Sequence, residues 1–191
     1  MSAEPSTRPG SPAQALRAAT HDQHVALESQ PLSEAISSAT VSADDYRGYL
    51  VRLYALVREV EGRVRGAGAG SPAAWADGER LTRLTADIAA MGGDLPPERE
   101  LPRDDSAATL WGLMYVIEGS MLGGTLLASR LARRADLAGA LSYLSGSSDR
   151  TAARWRAFCA DMERALRPEQ WPEAVAAARR LFARFGSEVL G

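Results

Sequence analysis

Apolar residues recur along most of this chain at spacings of three, four and seven positions, which is the period of an amphipathic helix. One such stripe, in the segment from 43 to 65, consists of Tyr46, Leu50, Leu53, Tyr54, Val57 and Val60. We find no stretch with the alternation of apolar and polar residues that marks a half-buried strand. The pattern therefore predicts an all-α fold.

Capping residues, prolines and glycines divide the chain into successive helices. The predicted helices span Ser11 to about Ser29, 43 to 65, about 72 to 91 with a break at 77–78, 106 to 131, a short piece at 137–144, and about 149–166 and 172–189. Residues 1–10 are polar and contain two prolines, so we expect a disordered tail there and a single helical domain from 11 to 191.

The segment from Trp111 to Leu131 combines helical periodicity with four glycines, at positions 112, 119, 123 and 124. Each glycine inside a helix costs about 0.5–1 kcal/mol relative to alanine, so the segment should gain something that only glycine provides. Gly112, Gly119 and Gly123 are spaced to fall near one face. Bare backbone there permits either close packing of a neighbouring helix or a kinked helix with a flat ligand against its peptide groups.

Composition narrows the class of protein. With 191 residues, 46% apolar content and a net charge of −2, the chain fits one globular domain and lacks the basic excess of a nucleic-acid-binding protein. All 22 basic residues are arginine, so any anionic ligand has to be held by arginine. The single cysteine, Cys159, excludes an internal disulfide. We recognise no signal peptide and no apolar run long enough to span a membrane, and we therefore expect a cytoplasmic protein.

The two histidines, His21 and His24, lie on the first predicted helix, in the segment LRAATHDQHVALE. Imidazole is a common metal ligand, although a single helical histidine is more often a surface residue. Glu28 lies one turn after His24 and can accept the proton of the ring nitrogen that faces away from a metal. Arg17 lies two turns before His24, about 10 Å along the same face. Because His21 has Val25 at the position that matches Glu28, we favour His24 as the ligand.

This first segment, together with the later segment YVIEGSMLGG, resembles the heme oxygenase family, in particular its bacterial, biliverdin-producing members. LRAATHDQHVALE is similar to the family's proximal helix. The resemblance implies that His24 binds the heme iron, that Glu28 orients its ring and that Arg17 pairs with a heme propionate. It also implies a single-domain, all-α helical bundle.

YVIEGSMLGG is similar to the family's distal helix, in which glycines lie over the heme face and kink the helix. Gly119, Gly123 and Gly124 match those glycines, and Tyr115 matches a bacterial tyrosine near a propionate. Mammalian-type members carry an aspartate directly after the first of these glycines, and this chain has Ser120 at that position. Bacterial members of similar size commonly lack the aspartate too. The resemblance makes Gly119, Gly123 and Ser120 the candidate catalytic positions.

The family also contacts the propionates from its last helices, which makes Arg154 and Arg179 candidates for heme binding. The implied reaction uses heme as both cofactor and substrate and cleaves it at a meso carbon to biliverdin, carbon monoxide and ferrous iron. Dioxygen and an external electron donor, either a ferredoxin or a reductase, are the expected partners. Iron recovery and the supply of biliverdin to a bacteriophytochrome are both open as the purpose.

The same helical architecture also hosts three other functions. A heme-binding or heme-sensing protein of the same fold would bind heme without degrading it. A thiamine-degrading enzyme would need a base beside Cys159, and both histidines lie at the other end of the chain. A di-iron oxidase would need several carboxylate and histidine ligands on facing helices, and two histidines on one helix are too few.

Overall fold

The computed structural model describes residues 10–98, 101, 105–146 and 150–191. Within those residues every regular element is helical, which confirms the all-α prediction. The α-helices are α1 (Pro12–Glu28), α2 (Pro31–Ser37), α3 (Ala43–Arg65), α4 (Glu79–Ala90), α5 (Ala107–Leu131), α6 (Ser142–Ser145), α7 (Thr151–Ala165) and α8 (Trp171–Arg184). Short 3₁₀ turns occupy Ala73–Trp75 and Pro168–Gln170, and a π-helical turn, Phe185–Val189, follows α8.

Three of the helices begin at a serine cap. The hydroxyl of Ser11 accepts a hydrogen bond from the backbone N–H of Gln14, and Ser42 accepts one from Asp45. Ser106 caps α5 in the same way. These side chains satisfy backbone donors that a helix leaves unpaired at its first turn. Residues 1–9 of the tail predicted over residues 1–10, and the predicted helix start at 149, lie outside the described residues.

One helix was not predicted. Pro31 was expected to end the helical region, because the residue before a proline disfavours helix. In the structure α1 does end at Glu28, but Pro31 then occupies the first position of α2. A proline suits that position because its missing N–H would have no helical partner there.

The central element of the fold is α5. Every residue from Ala108 to Glu118 is buried, and the helix packs against α8, α3, α6 and α7. A Cβ atom added at Gly112 would lie 2.1 Å from the carbonyl oxygen of Ala174 in α8. The glycine is therefore what allows the two backbones to approach so closely. The helix is continuous from Ala107 to Leu131, and its expected kink stays a prediction.

The expectation about apolar runs needs a correction. By length and composition alone α5 could cross a membrane, since it has 25 residues and a most apolar window of mean hydropathy 1.3. However, 61% of that window is buried inside the fold. A helix that is apolar on all sides is also what the centre of a helical core requires, so the hydropathy of α5 is explained by packing.

Candidate functional site

A cavity of about 770 Å³ opens between α1, the second half of α5 and the C-terminal residues. This volume is within the range of small-molecule and cofactor sites. From α1 the lining includes Arg17, Thr20, His21, His24 and Glu28; from α5 it includes Tyr115, Gly119, Ser120, Gly123 and Gly124; and from the C-terminal region it includes Phe182, Phe185 and Leu190. Two sequence motifs about ninety residues apart thus meet in one site.

His24 lies in this lining with its Nδ1 atom turned towards Glu28. The Nδ1 to Oε1 distance is 3.6 Å, slightly longer than a hydrogen bond. Both side chains are mostly exposed, 60% for His24 and 69% for Glu28, so a small rotation can close the gap. With Nδ1 directed to Glu28, Nε2 is the nitrogen available to a ligand. His21 also lines the cavity, so the contact with Glu28, not the position alone, separates the two histidines.

A polar group lies where Tyr115 of α5 meets α1. Burial raises the pKa of the Tyr115 phenol to about 12, and the nearby positive charge of Arg17 and the Thr20 side chain partly oppose that rise. Tyr115 is therefore a neutral hydrogen-bond donor near neutral pH. Arg17 is exposed and forms no ion pair with the residues that the structure describes. Arg17 and Tyr115 therefore place a cation and a phenol hydroxyl at the same part of the cavity.

The four glycines of α5 have two different environments. At Gly112 and Gly124 an added Cβ would lie 2.1 Å and 2.6 Å from a backbone carbonyl oxygen, of Ala174 and Leu144 respectively. At Gly119 it would make ordinary contact with the Trp155 ring at 3.6 Å, and at Gly123 it would meet nothing within 4 Å in the described part of the chain. Both proposed reasons for glycine therefore apply, at different positions.

Gly112 does not share the surroundings of Gly119 and Gly123, although the spacing places all three near one face of the helix. Gly112 lies against α8, whereas Gly119 and Gly123 line the cavity. Gly124 does both, because it lines the cavity and approaches the backbone of α6. Only Gly119 and Gly123 present bare backbone to the cavity without a close backbone neighbour.

Two polar side chains lie in the wall formed by α5 and α6. Ser120 is exposed and donates its hydroxyl proton to the carbonyl oxygen of Ile117 at 2.8 Å. Tyr143 of α6 lines the same cavity but is only 3% exposed, and its hydroxyl has no hydrogen-bond partner among the described residues. Sequence reasoning did not find Tyr143, since a tyrosine in the short segment LSYLSG carries no recognisable signal.

Arg154 and Arg179 lie outside the cavity lining. Arg154 binds Glu118 with its Nη2 atom at 2.8 Å and Asp77 with its Nη1 atom at 2.8 Å, and it lies over the ring of Trp75. Arg179 donates from Nε to the carbonyl oxygen of Ala19 at 2.8 Å, which ties α8 to α1. The structure does not bring these two arginines together with His24.

Glu118, the residue before Gly119, is the centre of a buried ion-pair cluster. Besides Arg154 it binds Arg80 at 2.7 Å, and Arg80 also binds the buried Glu61 at 2.8 Å. Burial disfavours these charges, and the pairing compensates for that cost. The cluster holds α5 at Glu118, between the cavity-lining residues Tyr115 and Gly119.

Cys159 lies on α7 and is half-buried. Burial raises the pKa of its thiol to about 11, so the thiolate is scarce near neutral pH. A cysteine nucleophile needs the thiolate form, so this environment does not favour the thiamine-degrading alternative.

The comparisons with known proteins agree on one family. A family model described as Heme oxygenase matches residues 11–190. A heme oxygenase of Xanthomonas campestris pv. campestris (strain 8004) is 32% identical over 161 residues, which cover 81% of this chain and 94% of the relative.

Solved structures of similar fold carry the same family name. The heme oxygenase of Neisseria meningitidis, solved with NO and CO bound, has a TM-score of 0.75 at 23% identity and covers 95% of this chain and 91% of its own. Heme oxygenase-1 of the cyanobacterium Synechocystis sp. PCC6803, in complex with heme, has a TM-score of 0.75 at 17% identity and covers 93% of this chain and 90% of its own. At these identities the structures establish the shared fold.

Proposed function

This chain belongs to the heme oxygenase family, and on that premise we propose that it cleaves heme at a meso carbon, consuming dioxygen and electrons, to biliverdin, carbon monoxide and ferrous iron. The observation that carries the proposal is the single cavity in which His24 of α1 meets Gly119 and Gly123 of α5.

The lining of the cavity fits heme in its chemistry. Heme is flat and apolar with two propionates, and the cavity walls are largely apolar, with Val25 and Leu122 unusually exposed at 45% and 42%. A flat apolar ligand would cover such side chains and gain the free energy of removing them from water. Arg17 and Tyr115 supply a cation and a hydrogen-bond donor for a propionate.

On the α1 side of the cavity, Nε2 of His24 would bind the iron. Glu28 would accept the Nδ1 proton, which fixes the tautomer and makes the ligating nitrogen more basic. A neutral histidine does not push electron density towards O–O cleavage as a cysteine thiolate does. Bound heme supplies the iron that binds dioxygen and the meso carbon that is oxidised.

On the α5 side, the chain would leave backbone and a serine hydroxyl next to the ligand. Gly123 has no side chain to occupy the cavity, and Gly119 has only the Trp155 ring behind it. Peptide groups at these positions and the Ser120 hydroxyl would order water without placing a carboxylate beside the reacting oxygen. The reaction also needs electrons, for which we propose an external ferredoxin or reductase, and we propose a cytoplasmic location.

Heme titration of the purified chain tests the proposal. Wild-type protein should bind heme with the absorption spectrum of a histidine-ligated complex, and ascorbate or a ferredoxin–reductase pair in air should convert that spectrum to a bile pigment. His24→Ala should lose this spectrum and the turnover, by at least about 100-fold in rate. His21→Ala is the matched control and should retain both.

Each outcome of this experiment decides between functions. Heme binding without any bile pigment would support the alternative of a heme-binding or heme-sensing protein. Failure of the wild-type protein to bind heme would overturn the proposal altogether. Loss of binding in His21→Ala but not in His24→Ala would reassign the ligand.

A further inference from the structure

Helix α6 forms part of the cavity wall but is too short to hold its own position. It is a single turn, Ser142–Ser145, and isolated helices shorter than about 12 residues are marginal in water. The residue that precedes it, Leu141, provides no side-chain cap for its first N–H groups. These donors have to be paired elsewhere, because a buried N–H group without a partner is costly.

The partner is Asp87 of α4, which lies 55 residues before Ser142 in the chain. Its Oδ1 atom accepts a hydrogen bond from the backbone N–H of Ser142 at 2.9 Å, and its Oδ2 atom accepts one from Tyr143 at 2.8 Å. Asp87 is fully buried, and these two N–H groups are the partners that its oxygens have in the described part of the chain. Burying a carboxyl group is costly, and the two hydrogen bonds offset part of that cost. Asp87 thus caps α6 from another helix.

The segment that leads into α6 has a second buried anchor. Tyr46 of α3 is fully buried and donates its hydroxyl proton to the carbonyl oxygen of Ala140 at 2.9 Å. Neither Asp87 nor Tyr46 lines the cavity. The position of α6 is therefore set from behind the cavity wall, by α3 and α4.

The cavity wall depends on where α6 lies. Tyr143 and Leu144 line the cavity, and a Cβ atom added at Gly124 of α5 would lie 2.6 Å from the Leu144 carbonyl oxygen. Gly124 and its neighbour Gly123 line the same cavity. A displacement of α6 would therefore move two side chains of the wall and remove the backbone contact that supports α5 beside Gly123.

We propose that Asp87 is a positioning residue for the heme cavity: by holding the first two N–H groups of α6, it keeps the Leu144 carbonyl against Gly124 and so fixes the cavity wall. The inference rests on the proposed function, because heme is the ligand whose fit it describes. Asp87 lies outside the cavity lining and acts through α6.

The substitution Asp87→Asn tests the hydrogen bonds, since it keeps the size of the side chain but places an amide N–H group against one of the two donors. At a temperature where circular dichroism shows the variant folded, its dissociation constant for heme should rise about 3–10-fold, as expected for one lost hydrogen bond. The C–O stretching band of its ferrous carbon monoxide complex should broaden, because the wall no longer holds one position.

Asp105→Asn is the matched control. Asp105 also accepts two hydrogen bonds from a distant helix, from the Nε and Nη2 atoms of Arg63 at 2.7 and 2.6 Å, and it lies outside the cavity lining. This variant should have a lower thermal midpoint but the heme affinity and C–O band of the wild-type protein. A general loss of stability would then not account for the result at Asp87.

Gly124→Ala tests the second contact, because its methyl group has to displace the Leu144 carbonyl. Alone it should weaken heme binding by a factor similar to that of Asp87→Asn. The double variant should bind heme more tightly than the product of the two factors predicts, since one displacement of α6 accounts for both effects.

Hydrogen exchange of the chain without heme provides a readout that does not depend on the ligand. The amide protons of Ser142 and Tyr143 should exchange as slowly in the wild-type chain as those in the buried first half of α5, although the first N–H groups of a helix lack helical partners. Gly124→Ala should speed the exchange of both amides, which tests the inference even if Asp87→Asn does not fold.

Four results would overturn the inference. They are fast exchange at Ser142 and Tyr143 in the wild-type chain, unchanged heme binding and C–O band in folded Asp87→Asn, equal changes in Asp105→Asn, and factors that multiply in the double variant. If the wild-type chain binds no heme, the proposed function fails and this inference with it. Slow exchange would then show that the contact between Asp87 and α6 exists without serving a heme cavity.

Discussion

Gly112 in the first half of α5 and Gly123 in the second half serve opposite purposes, although the second half also contains one closely packed glycine, Gly124. In the first half, Ala107–Glu118, a Cβ at Gly112 would collide with the α8 backbone, and every residue from Ala108 onwards is buried. In the second half, from Gly119 to Leu131, a Cβ at Gly123 would meet nothing described within 4 Å, and Leu122 and Leu126 are exposed. Close packing holds the first half in place, which allows the second half to leave open space beside a ligand. The difference shows that glycine content alone does not identify a binding helix.

The largest effect is expected at the junction of the two halves. Glu118→Ala would leave Arg80 and Arg154 as cations without their shared buried partner, and removing one member of a buried pair typically costs about 3–5 kcal/mol. Urea unfolding of the chain without heme measures the change. Glu28→Ala, at an exposed carboxylate, is the control and should cost less than about 0.5 kcal/mol. Equal losses for the two variants would mean that the cluster does not anchor α5.

An alanine scan of the glycines tests the contrast directly. Gly112→Ala should lower the free energy of unfolding by about 1–3 kcal/mol, because α5 and α8 must separate to admit the methyl group. Gly123→Ala should raise it by about 0.5–1 kcal/mol, since alanine favours helix and has room there. Gly123→Leu should weaken heme binding by filling cavity space. If Gly112→Ala proves neutral in unfolding experiments, the two halves do not differ as described.

The smallest expected effect is on the stability of the fold at acidic pH, and it depends on the carboxyl group of Asp77. Burial opposes ionisation of Asp77, but the backbone N–H of Glu79 and the charge of Arg154 outweigh it and lower the pKa of the carboxyl. A lowered pKa stabilises the fold above the unfolded-state pKa, about 3.9, and this contribution is lost as the pH falls through the folded-state value. Asp77→Asn should therefore be less stable at pH 7 and lose less stability between pH 5 and 3. A denaturant series across this range measures both slopes, and parallel curves would contradict the assignment.

Much of the fold and part of the site could be predicted because they depend on local chemistry. Ser11, Ser42 and Ser106 cap helices through contacts three residues away, which sequence shows directly. His24 and Glu28 are one helical turn apart, so their contact also follows from spacing. Their meeting with the glycines was inferred by resemblance, since nothing local links α1 to α5.

What could not be predicted depends on which helix lies opposite a given position. Gly112 and Gly119 share a face of an ideal helix, but they are about 10 Å apart along its axis, and the neighbouring element changes over that distance. Arg154 shares the buried Glu118 with Arg80 instead of reaching the cavity, and no sequence spacing shows this pairing between α7 and α5. Tyr143 enters the site through packing of the short α6, which no spacing rule specifies.

Helix α8 contacts both α1, which carries His24, and α5, which carries the four glycines. Arg179 of α8 is tied to the Ala19 carbonyl of α1, and Gln23 of α1 returns a hydrogen bond to the Arg179 carbonyl at 3.1 Å. On the other side, the Ala174 carbonyl lies against Gly112 of α5. The distance across the cavity between His24 and the bare backbone of α5 therefore depends on a third helix, most of which lies away from the cavity. Substitutions in α8 at residues that do not contact the ligand would therefore change the distance between α1 and α5, and with it the thickness of the ligand that fits.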